Sequence, residues 1–194
     1  MKVFLSIFLF CLACCSCSKS GKSVDEKIPK IYHLASSKSL SVKNDVVFLN
    51  DTPYTGFLYE LSLSKDTLLI EGYLNGLLSG VCKKWYPNRQ LQEERNYLNG
   101  QKHGKQVAYW ENGNKRFEFT AKNGEYEGEL KEYSTNGHLF HLGTYASGQE
   151  EGPQKMWYDN GKIRANYVIL KGKRYGLLGT KNCKNVSDSI FVVK

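Results

Sequence analysis

The residue types suited to chemistry in this 194-residue chain are four histidines, two adjacent glutamate pairs and six cysteines. His138-x-x-His141 has the composition of a metal-binding pair. In a strand, however, a three-residue step sends the two side chains to opposite faces, and a metal needs them on one face with further ligands. The expectation is two surface histidines and no metal site. Glu93-Glu94 and Glu150-Glu151 are adjacent and so alternate faces, which leaves no marked pair of carboxylates for acid–base work. No Gly-x-Ser-x-Gly elbow, phosphate loop or His-Glu-x-x-His motif occurs. The reading is a protein without catalytic residues, cofactor or metal, with glycan hydrolysis across strands as the least favoured alternative.

Four of the cysteines, at 11, 14, 15 and 17, sit at the N-terminus. Met1-Lys2 is followed by an uncharged run from Val3 to Ala13, then by small residues and Lys19. That is the pattern of a secretory signal peptide, and it is shorter than the roughly 20 apolar residues of a membrane span. The region resembles the lipobox of bacterial lipoproteins, in which a small residue precedes the cysteine that becomes lipidated and N-terminal. Cys17, with Ser16 before it and polar residues after it, is the favoured anchor; Cys14 and Cys15 are the alternatives. The expected organisation is a signal peptide over 1–16 and a lipidated N-terminus with a flexible tether over 17–45. Such a tether spans about 25–30 Å. Processing before Cys17 removes only Lys2 among the charged residues, lowering the net charge from +8 to +7. The resemblance implies a cell-envelope protein, lipid-anchored and extracytoplasmic.

The elements that must position everything else are repeats. Gly56, Gly80, Gly104, Gly128, Gly152 and Gly176 are 24 residues apart, and Gly76, Gly100, Gly124, Gly148 and Gly172 follow the first five at a fixed 20. Leu61, Trp85, Tyr109, Tyr133 and Trp157 form a third column, and Asn88, Asn112, Asn136 and Asn160 a fourth. Each unit holds two turn signals and two runs of strand length. Pro87-Asn88-Arg89, Glu111-Asn112-Gly113, Thr135-Asn136-Gly137 and Asp159-Asn160-Gly161 read as three-residue hairpin loops with the last residue left-handed. Arg89 in that position makes its turn the most strained. This loop predicts that Trp85 faces Leu91, Tyr133 faces Leu139 and Trp157 faces Ile163. Strand alternation then places all of them on one face with Tyr73, Tyr97 and Tyr145, joined by Phe117 and Phe119 in the third repeat. Val46 to Asn50 reads as the second strand of a truncated repeat closing the N-terminal edge. Ser189 to Val193 reads as a last strand.

The two glycine columns with Gly-x4-[Trp/Tyr]-x2-Asn-Gly resemble the MORN-repeat variant family, including bacterial proteins labelled YwqK-type antitoxins. The resemblance implies an all-β fold, an elongated twisted antiparallel sheet of stacked hairpins. It covers a half-repeat cap and five repeats over 46–180, with a degenerate cap over 181–194, and carries over no catalytic residues. Hydrophobic residues at 41% with 13 Tyr agree with an ordered domain. Cys82 and Cys183 would lie about 40 Å apart at two strands per repeat, so both should be free thiols. Lysine and arginine are spread over all repeats, which disfavours nucleic acid as a partner. They suit a solvated sheet or an anionic envelope surface. Tyr86, Trp110 and Tyr158 form a second aromatic column on the opposite face and are the expected contact residues for an envelope glycan or protein. The functional expectation is a non-catalytic, lipid-anchored binding or scaffolding protein; an antitoxin- or immunity-like protein neutralising a protein partner is the alternative.

Overall fold

Two kinds of turn alternate along the chain, and their alternation generates the architecture. At one end of each hairpin Trp110 N–H donates to the Asn114 carbonyl (2.8 Å) and Gly113 N–H to the Trp110 carbonyl (2.9 Å). These bonds enclose Glu111-Asn112-Gly113 in a three-residue loop, as the sequence predicts. The same bonds recur around Tyr86–Gln90, Ser134–His138 and Tyr158–Lys162. The last loop residue is left-handed in each, and Arg89 (φ 70°) takes the place that glycine fills elsewhere. At the other end of each hairpin, Asn75-Gly76, Asn99-Gly100, Asn123-Gly124, Ser147-Gly148 and Lys171-Gly172 all have positive φ at both residues. These are two-residue type I′ turns, whose twist matches that of the strands.

The computed structural model describes residues 27–178. Its strands are β1 (Tyr32–Leu34), β2 (Leu40–Lys43), β3 (Val46–Leu49), β4 (Thr52–Pro53), β5 (Gly56–Leu61), β6 (Thr67–Leu74), β7 (Leu77–Leu78) and β8 (Gly80–Trp85). They continue with β9 (Leu91–Leu98), β10 (Gln101–Tyr109), β11 (Lys115–Lys122), β12 (Glu125–Tyr133), β13 (Leu139–Ala146), β14 (Gln149–Trp157), β15 (Ile163–Leu170) and β16 (Lys173–Leu177). There is no helix among the described residues. A 13-stranded sheet runs β1-β5-β6-β8 and then consecutively from β9 to β16, with β7 also paired to β6. Every pairing in it is antiparallel except β1 with β5. The fold is therefore all-β, a long sheet of stacked hairpins that does not close into a barrel.

Three expectations are corrected. The tether over 17–45 is ordered in its second part, where β1 and β2 form. Val46 to Asn50 does not close the main sheet; β3 lies in a separate three-stranded sheet, β2-β3-β4, and β1 forms the N-terminal edge. The cause is a pair of tight turns, Asn44-Asp45 and Asn50-Asp51, with positive φ at all four residues, a conformation that Asn and Asp tolerate better than other side chains. This small sheet packs Val47 with Tyr54, Leu58 and Tyr73, so it caps the first repeat.

The third correction concerns faces. Trp85 opposes Leu91, Tyr133 opposes Leu139 and Trp157 opposes Ile163, as expected. One residue later the ladder slips: Lys84 opposes Glu93, so Gln92 is extra. Leu68, Arg116, Phe140 and Arg164 are the equivalent extra residues. A bulge of this kind reverses the parity of the rest of the strand. Gly80 opposes Tyr97 along an uninterrupted β8, and Gly80 and Trp85 differ by an odd number of residues. Tyr97 therefore lies on the face opposite Trp85. Phe117 likewise faces Ala108 rather than sharing a face with Tyr109. The sheet has a tyrosine face, with Tyr73, Tyr97, Tyr145 and Phe119, and a tryptophan face, with Trp85, Tyr109, Tyr133 and Trp157. Residues 1–26 and 179–194, which include Cys14, Cys15, Cys17, Cys183 and the proposed terminal segments, lie outside the described residues.

Candidate binding surface

The tyrosine face holds the most buried column. Two residues past each repeat glycine stand Leu58, Cys82, Gln106, Leu130 and Gln154, all buried, with the two glutamines fully so. The left-handed repeat glycine explains why a glutamine suits the site. At Gly104, Tyr97 opposes Lys102 and Arg95 opposes Gln106, so three residues of β10 bulge opposite Asn96 alone. The Gln106 Nε2 amide donates to the Asn96 carbonyl (2.8 Å), and Gln154 Nε2 donates to the Thr144 carbonyl (2.7 Å) at the equivalent bulge. Each side-chain amide replaces a donor the broken ladder withholds. Gly143 must be glycine for a related reason: a Cβ there would stand 2.7 Å from Gln154 Oε1 and 3.2 Å from His141 Nε2.

Four aromatic rings form a connected row across β11 to β13 on this face. Phe117 and Phe119 lie 5.8 Å apart, Phe119 and Tyr126 4.6 Å, and Tyr126 and Tyr145 5.2 Å, with the Arg95 guanidinium 4.7 Å from the Phe117 centroid. His141 belongs here too. It is buried, not a surface histidine, and its Nδ1 lies 2.7 Å from Glu132 Oε2. The bulge at Phe140 turns it inward, while His138 stays exposed. Cys82 is a free thiol, and burial pushes it up to about 11, so it is a poor nucleophile at neutral pH. No cluster of three or more His, Cys, Asp or Glu able to hold a metal occurs among the described residues.

The tryptophan face is built differently. Trp85, Tyr109, Tyr133 and Trp157 are half-buried and repeat along it, with Lys115 5.7 Å from the Tyr133 centroid and Lys155 5.9 Å from that of Trp157. Between β10, β11 and β12 the face dips into a depression of about 510 Å³ bordered by Lys105, Glu118, Thr120, Glu127, Glu129 and Lys131. Glu118 is its hub. It accepts from Lys115 Nζ (2.9 Å) and the Tyr133 hydroxyl (3.3 Å), with Lys105 Nζ at 3.9 Å. Burial would raise the Glu118 carboxyl, but Lys115, Tyr133 and Lys105 outweigh it and hold it below its ordinary value. A second depression of about 350 Å³ near the first repeat is apolar, between Tyr32, Tyr59, Leu61 and Ile70. Sequence reasoning missed the Glu118 hub, because its partners come from three strands and only the bulged register brings them together.

The expected contact residues have another task. The Tyr86 hydroxyl donates to the Tyr109 carbonyl (3.0 Å) and Trp110 Nε1 to the Tyr133 carbonyl (3.0 Å), each 23 residues on. Asn88 and Asn112 repeat the step, donating to the Glu111 and Thr135 carbonyls. These side chains stitch each turn to the next. Trp110 also carries the Arg116 guanidinium 4.8 Å from its ring. Tyr158 holds the same place in the fifth repeat and is more exposed, at 39%. The adjacent glutamates do point apart: Glu93 pairs with Arg95 (3.1 Å), Glu94 with Lys83 (3.0 Å).

Residues 78–99, 102–123, 126–147 and 150–167 match the MORN repeat variant family. These four consecutive segments are similar to that family's repeat. Each matched unit begins next to a type I′ turn and spans one three-residue hairpin. The hairpin of β5 and β6 has the same geometry ahead of them, with Lys65 (φ 64°) in the left-handed loop position, although it lies outside the matched residues. No curated protein matches the chain. MORN repeat proteins are generally non-catalytic binding or scaffold proteins, and the repeats here support a binding or scaffolding role.

Proposed function

We propose that this chain is a non-catalytic cell-envelope protein, lipid-anchored through Cys17, whose MORN repeat sheet is a binding or scaffolding surface for an envelope partner. The observation that carries the reading is the tryptophan face: half-buried aromatic rings at one-repeat spacing beside a charged depression. Aromatic side chains of this kind give a partner large contact area at low entropic cost, and the flanking lysines and glutamates give it register. We assign the partner to this face because the polar tips of Tyr86 and Trp110 are committed to neighbouring repeats; Tyr158 borders the opposite side. The anchor rests on the N-terminal sequence, whose uncharged run and cysteine cluster suit export and lipidation.

Two measurements test the parts separately. Cells labelled with palmitate should yield labelled protein, and Cys17→Ser should abolish the label; no label on the unaltered protein removes the anchor. The chain lacking residues 1–17 should still be retained by isolated envelope, with retention falling at least tenfold in Tyr133→Ala plus Trp157→Ala while the far-UV spectrum stays unchanged. Equal retention of that variant removes the tryptophan face as the surface.

A further inference from the structure

We propose that Asn123 is a site of spontaneous covalent modification, converting to aspartate and isoaspartate and undoing one link between neighbouring repeats as it does so. Six Asn-Gly pairs occur, at Asn75, Asn99, Asn112, Asn123, Asn136 and Asn160. Asparagine is thermally labile, and a following glycine has no side chain to obstruct attack by its nitrogen. The bond from the asparagine Cγ to the glycine nitrogen forms as the bond from Cγ to Nδ2 breaks. Ammonia leaves with the glycine amide proton, and a five-membered imide remains. Solvent water then adds to one or the other imide carbonyl and opens the ring to aspartate or isoaspartate.

The sequence makes the six pairs alike; the fold separates them. Ring closure needs a carboxamide free to turn onto the next nitrogen, so hydrogen bonds that hold it oppose the reaction. Asn112 is held at both ends: Nδ2 donates to the Thr135 carbonyl (2.8 Å), and Oδ1 accepts from the Asn114 N–H (3.1 Å). Asn160 Oδ1 accepts from the Lys162 N–H (3.0 Å). Asn136 follows the Thr135 carbonyl, which Asn112 and Asn114 both pin. Gly76 is buried beneath Val46 and Val47, and Leu77 lies 3.6 Å from the place of a Cβ on Gly100. Asn123-Gly124 is under none of these restraints. Lys122 to Glu125 are exposed, and nothing beyond the chain neighbours lies within 4 Å of the place of a Cβ on Gly124. Among the described residues no partner holds the Asn123 carboxamide. The glycine N–H is hydrogen-bonded in all six pairs and does not distinguish them.

The reaction consumes a proton the fold uses. Gly124 N–H donates to the Lys102 carbonyl (2.9 Å), 22 residues back, as Gly76 does to Tyr54, Gly100 to Leu78 and Gly148 to Tyr126. The imide has no such donor. Isoaspartate then lengthens the main chain by one carbon in a turn whose two residues are both left-handed. The β11–β12 hairpin therefore loosens beside the depression that Thr120 and Glu127 border. The modification does not depend on which partner that face takes.

Peptide mapping by mass spectrometry tests the site, on the folded full chain held at pH 8 and 37 °C. Asn123 should convert at least tenfold faster than Asn112, and ahead of the other four. In urea, where no fold separates them, the six rates should agree within threefold. Asn112 keeping pace with Asn123 in the folded chain, another pair leading, or the same spread persisting in urea overturns the proposal. Hydrogen exchange reads the lost link. In the converted chain the amides of Lys122 and Glu125 should exchange at least threefold faster than in fresh protein, with β14 and β15 unchanged. Equal exchange at Lys122 and Glu125 in the two samples would overturn the loss of the link.

Discussion

Replacing Tyr86 with Phe removes one oxygen atom and leaves the ring, so it isolates the stitch between the second and third repeats. The hydroxyl donates to the Tyr109 carbonyl at 3.0 Å from a half-buried ring. A neutral hydrogen bond of this kind contributes about 1 kcal/mol net, because the unfolded chain satisfies both groups with water. The stranded carbonyl lies near a turn, where water replaces the lost donor, so the larger penalty of a deeply buried orphan does not apply. For a domain of this size the loss corresponds to a fall in melting temperature of about 2–4 °C. Urea unfolding followed by tryptophan fluorescence should show a lower midpoint at an unchanged slope. Tyr86→Leu, which also removes ring packing, should lose about 1 kcal/mol more. The reasoning fails if Tyr86→Phe leaves the midpoint unmoved, or if the two substitutions cost the same. Envelope retention should survive Tyr86→Phe, since the proposed surface lies on the opposite face.

Other outcomes follow from the same geometry. Arg89→Gly should stabilise by about 0.5–1 kcal/mol, because Arg89 occupies a left-handed turn position and its own side of the ion pair with the half-buried Asp66 is exposed; Gly113→Ala should cost about 1 kcal/mol or more in the same urea assay. Gln154→Glu should destabilise by about 3 kcal/mol at pH 7, since it buries a charge and removes the donor to the Thr144 carbonyl. That penalty should shrink in titrations that reach pH values where the carboxyl protonates. The Glu118 carboxyl is held below its ordinary 4.5 in the folded chain, so it contributes stability above that pH and loses it as pH falls through the folded value. Glu118→Gln should flatten this part of the acid-unfolding curve. Cys82 should resist iodoacetamide at pH 8 in the folded protein and react on unfolding, as mass spectrometry would show.

The parts of the fold legible in sequence were those written in residues with special backbone needs. Glycine and asparagine mark both turns because left-handed conformations exclude most side chains, and the three-residue loop then sets the pairs Trp85–Leu91 and Trp157–Ile163. The bulges at Leu68, Gln92, Arg116, Phe140 and Arg164 were not legible. Those five residues have no single type in common, because a bulge of this kind needs an extra residue and not a special one. Missing them put the tryptophan and tyrosine columns on one face and left His141 at the surface. The candidate site suffered most. Glu118, Lys115, Lys105 and Tyr133 meet only in the bulged register, and the regular aromatic spacing that reads as a row of contacts at Tyr86 and Trp110 also serves to stitch neighbouring repeats. The Asn44-Asp45 and Asn50-Asp51 turns were visible signals of the N-terminal cap; serine-rich composition around them obscured it.

The central claim is that one face of the repeat sheet is the binding surface. Its most direct test is saturable binding to isolated envelope of the chain lacking residues 1–17, compared with one variant per face. The account predicts that Tyr133→Ala plus Trp157→Ala on the tryptophan face weakens binding at least tenfold, and that Tyr126→Ala plus Glu150→Gln on the tyrosine face changes it less than twofold. Binding that responds to neither face, or only to the tyrosine face, would contradict it.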